Sequence, residues 1–109
     1  MSKYHNRKVV YDSIVFDSVK EKNRYMILKQ YEEAGAIKKL QLQKSFELIP
    51  GFILNGKKIR GIKYICDFYY YDNNLKKYIV EDVKGMRTDV YKIKKKLFEY
   101  KYNIEINEV

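Results

Sequence analysis

Hydrophobic and polar positions change rhythm several times along this chain, and each change marks an element. Val9-Val10-Tyr11 and Ile14-Val15-Phe16 are short apolar runs separated by Asp12-Ser13, the pattern of a small hairpin with a two-residue turn. From Ser18 the rhythm becomes helical. Ser18-Val19-Lys20-Glu21 fits a capping box and Gly35 supplies the stop, while Val19, Met26, Ile27, Tyr31 and Ala34 recur between them at helical spacing. Tyr25 and Leu28 follow Glu21 by four and seven residues, which puts Glu21 on a face they share. Ile37 to Leu42 leads into a strand running to about Ile49, where Pro50-Gly51 breaks it. Asn55-Gly56 marks a turn, and Ile59 to Tyr71 reads as the next strand. Thr88 caps a second helix whose apolar stripe is Val90, Ile93, Leu97 and Tyr100, with Lys92, Lys95 and Lys96 opposite and Lys94 on the apolar side. Ile104 to Val109 alternates strictly and reads as a last strand.

The stretch from Tyr64 to Gly85 organises the rest. Tyr64–Tyr71 and Tyr78–Val83 are rich in β-branched and aromatic residues, and Asp72-Asn73-Asn74 between them is turn chemistry. A hairpin axis between Asn74 and Leu75 puts Asp67 directly opposite Asp82. The period of two then sets Lys84 on the face of Asp82 and Glu81 on the other. Two carboxylates and an ammonium on otherwise apolar strands are costly to bury without a purpose. After the N-terminal hairpin the order is helix, three strands, helix, strand. That order suits an α/β (α+β) fold, a mixed sheet with helices packed against it.

Composition narrows the partner. A chain of 109 residues is one domain, residues 1–109, with no internal repeat or linker. Twenty-three Lys and Arg against fourteen Asp and Glu leave +9, which favours an anionic polymer. No apolar run reaches the length of a membrane span, so nucleic acid is the expected partner rather than a membrane. The polar, basic residues 1–8 lack a signal-peptide core, and a cytoplasmic location is expected. One Cys excludes an internal disulfide and a Cys-rich zinc site.

Phosphodiester hydrolysis needs an activated water, neutralised phosphoryl charge and help for the leaving oxygen; a hard divalent cation on two or three carboxylates supplies these, with a lysine beside it. Asp67, Asp82 and Lys84 are those parts, and Glu21 can complete them from the first helix. The pattern of Asp67 followed by Asp82-Val83-Lys84 resembles the PD-(D/E)xK nuclease superfamily, and the element order is similar to that superfamily's restriction-endonuclease-like core. More narrowly, Phe16-Asp17-Ser18-x-x-Glu21, Leu42-Gln43 and Glu81-Asp82-Val83-Lys84-Gly85 resemble a family of small phage-encoded proteins, over roughly Tyr4 to Val109. That family was long catalogued only as a domain of unknown function. Cys66 stands where the superfamily motif has Pro. The resemblance implies Asp67 and Asp82 as ligands of Mg²⁺ or Mn²⁺, Glu21 as the helix-borne acid, Lys84 as the catalytic lysine and Gln43 as a lining residue.

These readings imply a magnesium-dependent endonuclease acting on DNA. A domain this small carries no recognition-helix module, so structure-selective cutting is expected. Resemblance to phage proteins suggests branched DNA of recombination or replication, as for Holliday-junction resolvases. Lys92, Lys94, Lys95, Lys96, Arg87 and Gln43 are the expected nucleic-acid contacts, and a symmetric homodimer is the expected working species. Its surface would be the N-terminal hairpin with Tyr11 and Phe16, or an unpaired strand edge. The other reading is a non-catalytic nucleic-acid-binding domain or an accessory subunit. In it Glu21 is a capping residue, Asp82 and Lys84 form an exposed ion pair, and the helix lysines are a solvated face.

Overall fold

The computed structural model describes residues 7–84 and 87–109. Most of the basic N-terminal arm, and Gly85 at the end of the long hairpin, lie outside the described residues. Strands β1 (Val9–Tyr11) and β2 (Ile14–Phe16) form the first hairpin, with Asp12 and Ser13 both at positive φ in its turn. Helix α1 (Val19–Glu33) follows, with Ser18 Oγ accepting from the Glu21 amide at 3.1 Å. Gly35, at φ +81, ends it in the left-handed region that glycine enters without a Cβ clash.

A four-stranded mixed sheet carries the fold, in the order β10 (Ile106–Glu108), β9 (Lys77–Asp82), β8 (Phe68–Asp72), β3 (Ile37–Leu42). β10 runs parallel to β9, reached through helix α2 (Asp89–Tyr102), and the other pairs are antiparallel. The β8–β9 register, from Asp72 opposite Lys77 to Phe68 opposite Glu81, has the axis expected from the sequence. Asp72 Oδ1 accepts from the amides of Asn74 and Leu75 and holds the turn.

Two expected long strands are each divided. Residues 37–49 form β3 and β4 (Ser45–Ile49), and residues 59–71 are shared among β6 (Lys57–Ile59), β7 (Ile62–Ile65) and β8. β4 pairs with β7 and β5 (Phe52–Leu54) pairs with β6, each outside the main sheet. The kink is at Gln43, whose φ of 54° reverses which side chains face which layer. Backbone bonds Gln43 N to Asp67 O (3.1 Å) and Cys66 N to Lys44 O (3.0 Å) carry the pairing across it. Residues 37–72 are therefore one long ribbon, bent where it passes the two aspartates.

The bend separates two cores. On one face of the sheet Phe16, Tyr25, Leu28, Ile37, Phe68 and Tyr70 pack with α1 and the first hairpin. On the other, Phe46, Leu48, Tyr64, Cys66, Val80 and Ile106 pack with Tyr91 and Phe98 of α2. Phe98 meets Phe46 at 4.9 Å and Tyr64 at 5.2 Å between ring centroids. The face that Glu21 shares with Tyr25 and Leu28 is the buried side of α1, as expected, but the other apolar positions of both helices differ from expectation. Val19, Ile27 and Tyr31 of α1 are exposed, and the buried side is Glu21, Tyr25 and Leu28. In α2 Val90, Ile93 and Tyr100 are exposed, Tyr100 at 90%, while Tyr91 and Phe98 are buried with Leu97 packed beside them. In α2 it is the rings of Tyr91 and Phe98 that fill the space against the sheet.

Glu81 is 0% exposed on the α1 side of β9, its carboxylate accepting from Arg24 Nε at 2.8 Å and Nη2 at 2.6 Å and from the Tyr70 hydroxyl. This joins α1 to the sheet. Removing one partner of a buried pair strands the other charge, at about 3–5 kcal/mol. Arg24→Met should lower unfolding stability in urea by about that much, and Tyr70→Phe by about 1–3 kcal/mol. Equal midpoints for Arg24→Met and wild type would show that the pair does not hold α1.

Candidate carboxylate site

The site forms where the ribbon bends and β9 ends. Asp67 follows Cys66 in the interruption between β7 and β8, and its amide donates to Glu81 O at 3.1 Å. That bond, one residue off the β8–β9 register, keeps Asp67 at the side of β9 next to Asp82. Asp82, 3% exposed, closes β9 on the α2 face. Glu21 leans over from the first turn of α1 and is also buried. Glu21 is within hydrogen-bonding reach of Asp67, and Asp67 of Asp82, so three carboxyl groups form a row.

Each acid is held by protein groups. Asp67 Oδ2 accepts from the Val83 amide at 2.7 Å and Oδ1 from Gln43 Nε2 at 3.2 Å. Asp82 Oδ2 accepts from the Tyr64 hydroxyl at 2.5 Å, and its Oδ1 lies 3.2 Å from Lys84 Nζ. Lys84 also sits 3.8 Å from the Tyr91 ring centroid, and that aromatic face steadies the ammonium. Among the described residues no three His, Cys, Asp or Glu side chains are gathered closely enough to hold a metal ion as they stand. The row is nonetheless an all-oxygen donor set of the kind hard divalent cations take.

Electrostatics show the row is short of positive charge. Burial pushes the Glu21 and Asp67 carboxyls above the ordinary range, although the Val83 amide pulls Asp67 back. Asp82 is pushed up to about 6, first by burial and then by Asp67 beside it, with Tyr64 and Lys84 opposing. Cys66 next door is fully buried, its thiol pushed up to about 12 by desolvation, and serves as core.

Two recesses flank the row. One is lined by Phe16, Asp17, Glu21, Gln43 and Asp67, between the first hairpin and the Gln43 bend. The other is lined by Lys63, Tyr64, Asp82, Lys84, Tyr91 and Lys94, between β7 and α2. A further recess of about 630 Å³ lies away from the carboxylate row, between the β8–β9 turn and the end of α2, with Glu105 as its one acid.

The structure brings together Asp67, Asp82, Lys84, Glu21 and Gln43, and sets Lys94 at the edge. Lys92 and Lys96 are exposed on α2. Lys95 differs from the expected solvated position, because its Nζ lies 3.3 Å from Glu108 on β10. Arg87 is occupied by the same Glu108, at 2.7 Å. Phe16, named as a possible contact surface, is buried, while Tyr11 stays exposed. Sequence reasoning missed Tyr64 and Arg24. Alternation along β7 placed Tyr64 on the inward side, and Arg24 follows Glu21 by three residues on the same helical face.

The sequence model of a family described as a protein of unknown function (DUF1064) matches residues 1–108. No curated protein and no solved structure shows significant similarity. Among the described residues no helix is long and apolar enough to cross a membrane.

A carboxyl raised in the folded state keeps its proton there more readily than in the unfolded chain. In EDTA the stability from Asp82 should therefore be full below pH ~4 and lost as pH rises toward about 6. The loss is on the order of 2–3 kcal/mol. Glu108, held down to about 2 chiefly by Arg87 and next by the Tyr91 hydroxyl, is ionised across this window and leaves it unaffected. Melting from pH 4.5 to 7.5 should show falling stability, and Asp82→Asn should flatten much of it. A wild-type profile that rises over this range would contradict the crowded row.

Proposed function

The chain belongs to the DUF1064 family, and we propose that it is a divalent-metal-dependent endonuclease of the PD-(D/E)xK type acting on DNA, with branched DNA as the favoured substrate. The observation that carries this reading is the row of Glu21, Asp67 and Asp82 with Lys84 beside it at the end of paired strands. Asp67 and Asp82, with Glu21, would hold Mg²⁺ or Mn²⁺. When bound, the ion neutralises phosphoryl charge and lowers the pKa of water.

The chain's own groups do the rest. Lys84 offers a cation to the phosphoryl oxygens and a donor to orient the attacking water. The Tyr64 hydroxyl and the Val83 amide fix one oxygen of each aspartate, Asp82 bordering the Lys84 recess and Asp67 the Gln43 recess. Gln43, in its bent backbone, holds the second Asp67 oxygen and borders the approach. Lys94, and behind it Lys92 and Lys96, supply positive surface for the phosphate backbone.

A non-catalytic nucleic-acid-binding role is the second reading. It is favoured by the engagement of Asp67 and Asp82 with protein partners among the described residues.

Labelled four-way, flap and linear duplexes incubated with Mg²⁺ or EDTA decide between them. Cutting should require the metal and prefer branched DNA. Asp67→Asn should reduce it by roughly 10²-fold or more while leaving binding nearly intact. Binding without metal-dependent cutting in wild type would favour the second reading.

Paired cuts on a junction need two equivalent sites, so the working species in this reading is a symmetric homodimer. The exposed Val10, Tyr11 and Val15 of the first hairpin offer its surface. Light scattering at micromolar protein with junction DNA should give the mass of two chains. A monomer with and without DNA, making single nicks, would remove the dimer.

A further inference from the structure

The ribbon beyond the Gln43 bend is more than a connection. Every residue of β5 and β6 is exposed, and these strands pair with each other outside the main sheet. The ribbon narrows at its base, where a Cβ on Gly61 would stand 2.3 Å from Ile49 O and 2.8 Å from Gly51 N. Only glycine permits that crossing, so the close approach is built into the sequence.

Beyond Glu47, which faces Lys63 across β4–β7 and lies 3.9 Å from Lys101, its surface has one sign. From Leu48 to Cys66 there is no acidic residue, while Lys57, Lys58, Arg60 and Lys63 are all present and exposed. The register puts Phe52, Leu54, Ile59 and Lys57 on one face of β5–β6, and Ile53 and Lys58 on the other. Phe52, Ile53 and Leu54 are about half exposed or more. At its root, Lys63 and Ile65 line the recess of Asp82, Lys84 and Lys94. From Asp67 to the Asn55-Gly56 turn, extended strand spans up to about 36 Å, near one turn of duplex DNA.

We propose that this ribbon is an arm that lies along a groove of a nucleic-acid duplex whose backbone enters the recess at Asp82 and Lys84. The cations meet phosphates on the groove walls, and the apolar side chains contact sugars and base edges at the tip. A two-stranded ribbon fits the width of a major groove. The arm deepens the nuclease reading by giving the protein its hold on the duplex, but its binding needs no hydrolysis. Charge argues against a second copy of the arm as occupant, because a symmetric contact would set Lys57 and Lys58 against their own equivalents without an acid between them.

The test is fluorescence anisotropy with a labelled 30-base-pair duplex in EDTA across a salt series. The triple variant Lys57→Gln, Lys58→Gln, Arg60→Gln should weaken binding roughly tenfold or more and reduce the salt slope by roughly 2–3. Ile53→Ser with Leu54→Ser should weaken binding while leaving that slope unchanged. Both variants should melt near wild type, since the substituted positions lie in the tip, residues 51–61, which contributes to neither core. Unchanged affinity and slope in the triple variant would overturn the proposal. So would an apolar double variant that turns a dimer into a monomer and still binds DNA as wild type does. Arm-dependent binding without metal-dependent cutting would refute the nuclease reading and keep the arm; metal-dependent cutting with arm-independent binding would do the reverse.

Discussion

One buried carboxylate sets the terms for its neighbours. Glu81 and Asp82 are consecutive on β9 and point to opposite faces, both deprived of water. The guanidinium of Arg24, as a two-pronged donor, is committed to Glu81. Among the described residues Asp82 receives only a lysine at the rim and a phenol, and Asp67 presses on it from beside β8. Neighbouring residues of the same charge thus have opposite fates. One is satisfied inside the protein, and the other is left holding its proton more tightly than a free carboxyl does.

The same pair couples helix to site. Arg24 lies one helical turn beyond Glu21, so the bond that seats α1 on the sheet also sets how far Glu21 leans over Asp67. On the far side, Tyr64 links Asp82 to the ribbon, and Phe98 beneath Tyr64 links the ribbon to α2. The three carboxyl groups thus arise from separate segments, each fixed by its own buried contact.

The hairpin was readable in the sequence because strand alternation and turn chemistry point to the same axis. Asp67 beside Asp82, with Lys84 on that side and Glu81 on the other, follows from that axis alone. The divided strands were not readable. A kink made by Gln43, a non-glycine residue at positive φ, leaves little trace in a hydrophobicity pattern. The exposed stripe of α2 misled for a related reason. Val90 and Ile93 have helical spacing, but Tyr91 and Phe98 fill the gap against Phe46 and Tyr64, and only the bend brings those residues near. Lys95 looked solvated because its partner, Glu108, lies on a strand that joins the sheet after the helix ends.

The glycine crossing at Gly51 and Gly61 also bears on how such a protein can diverge. It divides the ribbon into a stem that contributes to a core and a tip that contributes to neither. Antiparallel pairing repeats every two residues, so adding or removing two residues on each side of Asn55-Gly56 keeps every side chain on its own face. The tip's span is thereby decoupled from the carboxylate row. The ribbon's length can change while the carboxylate row at its root keeps its geometry.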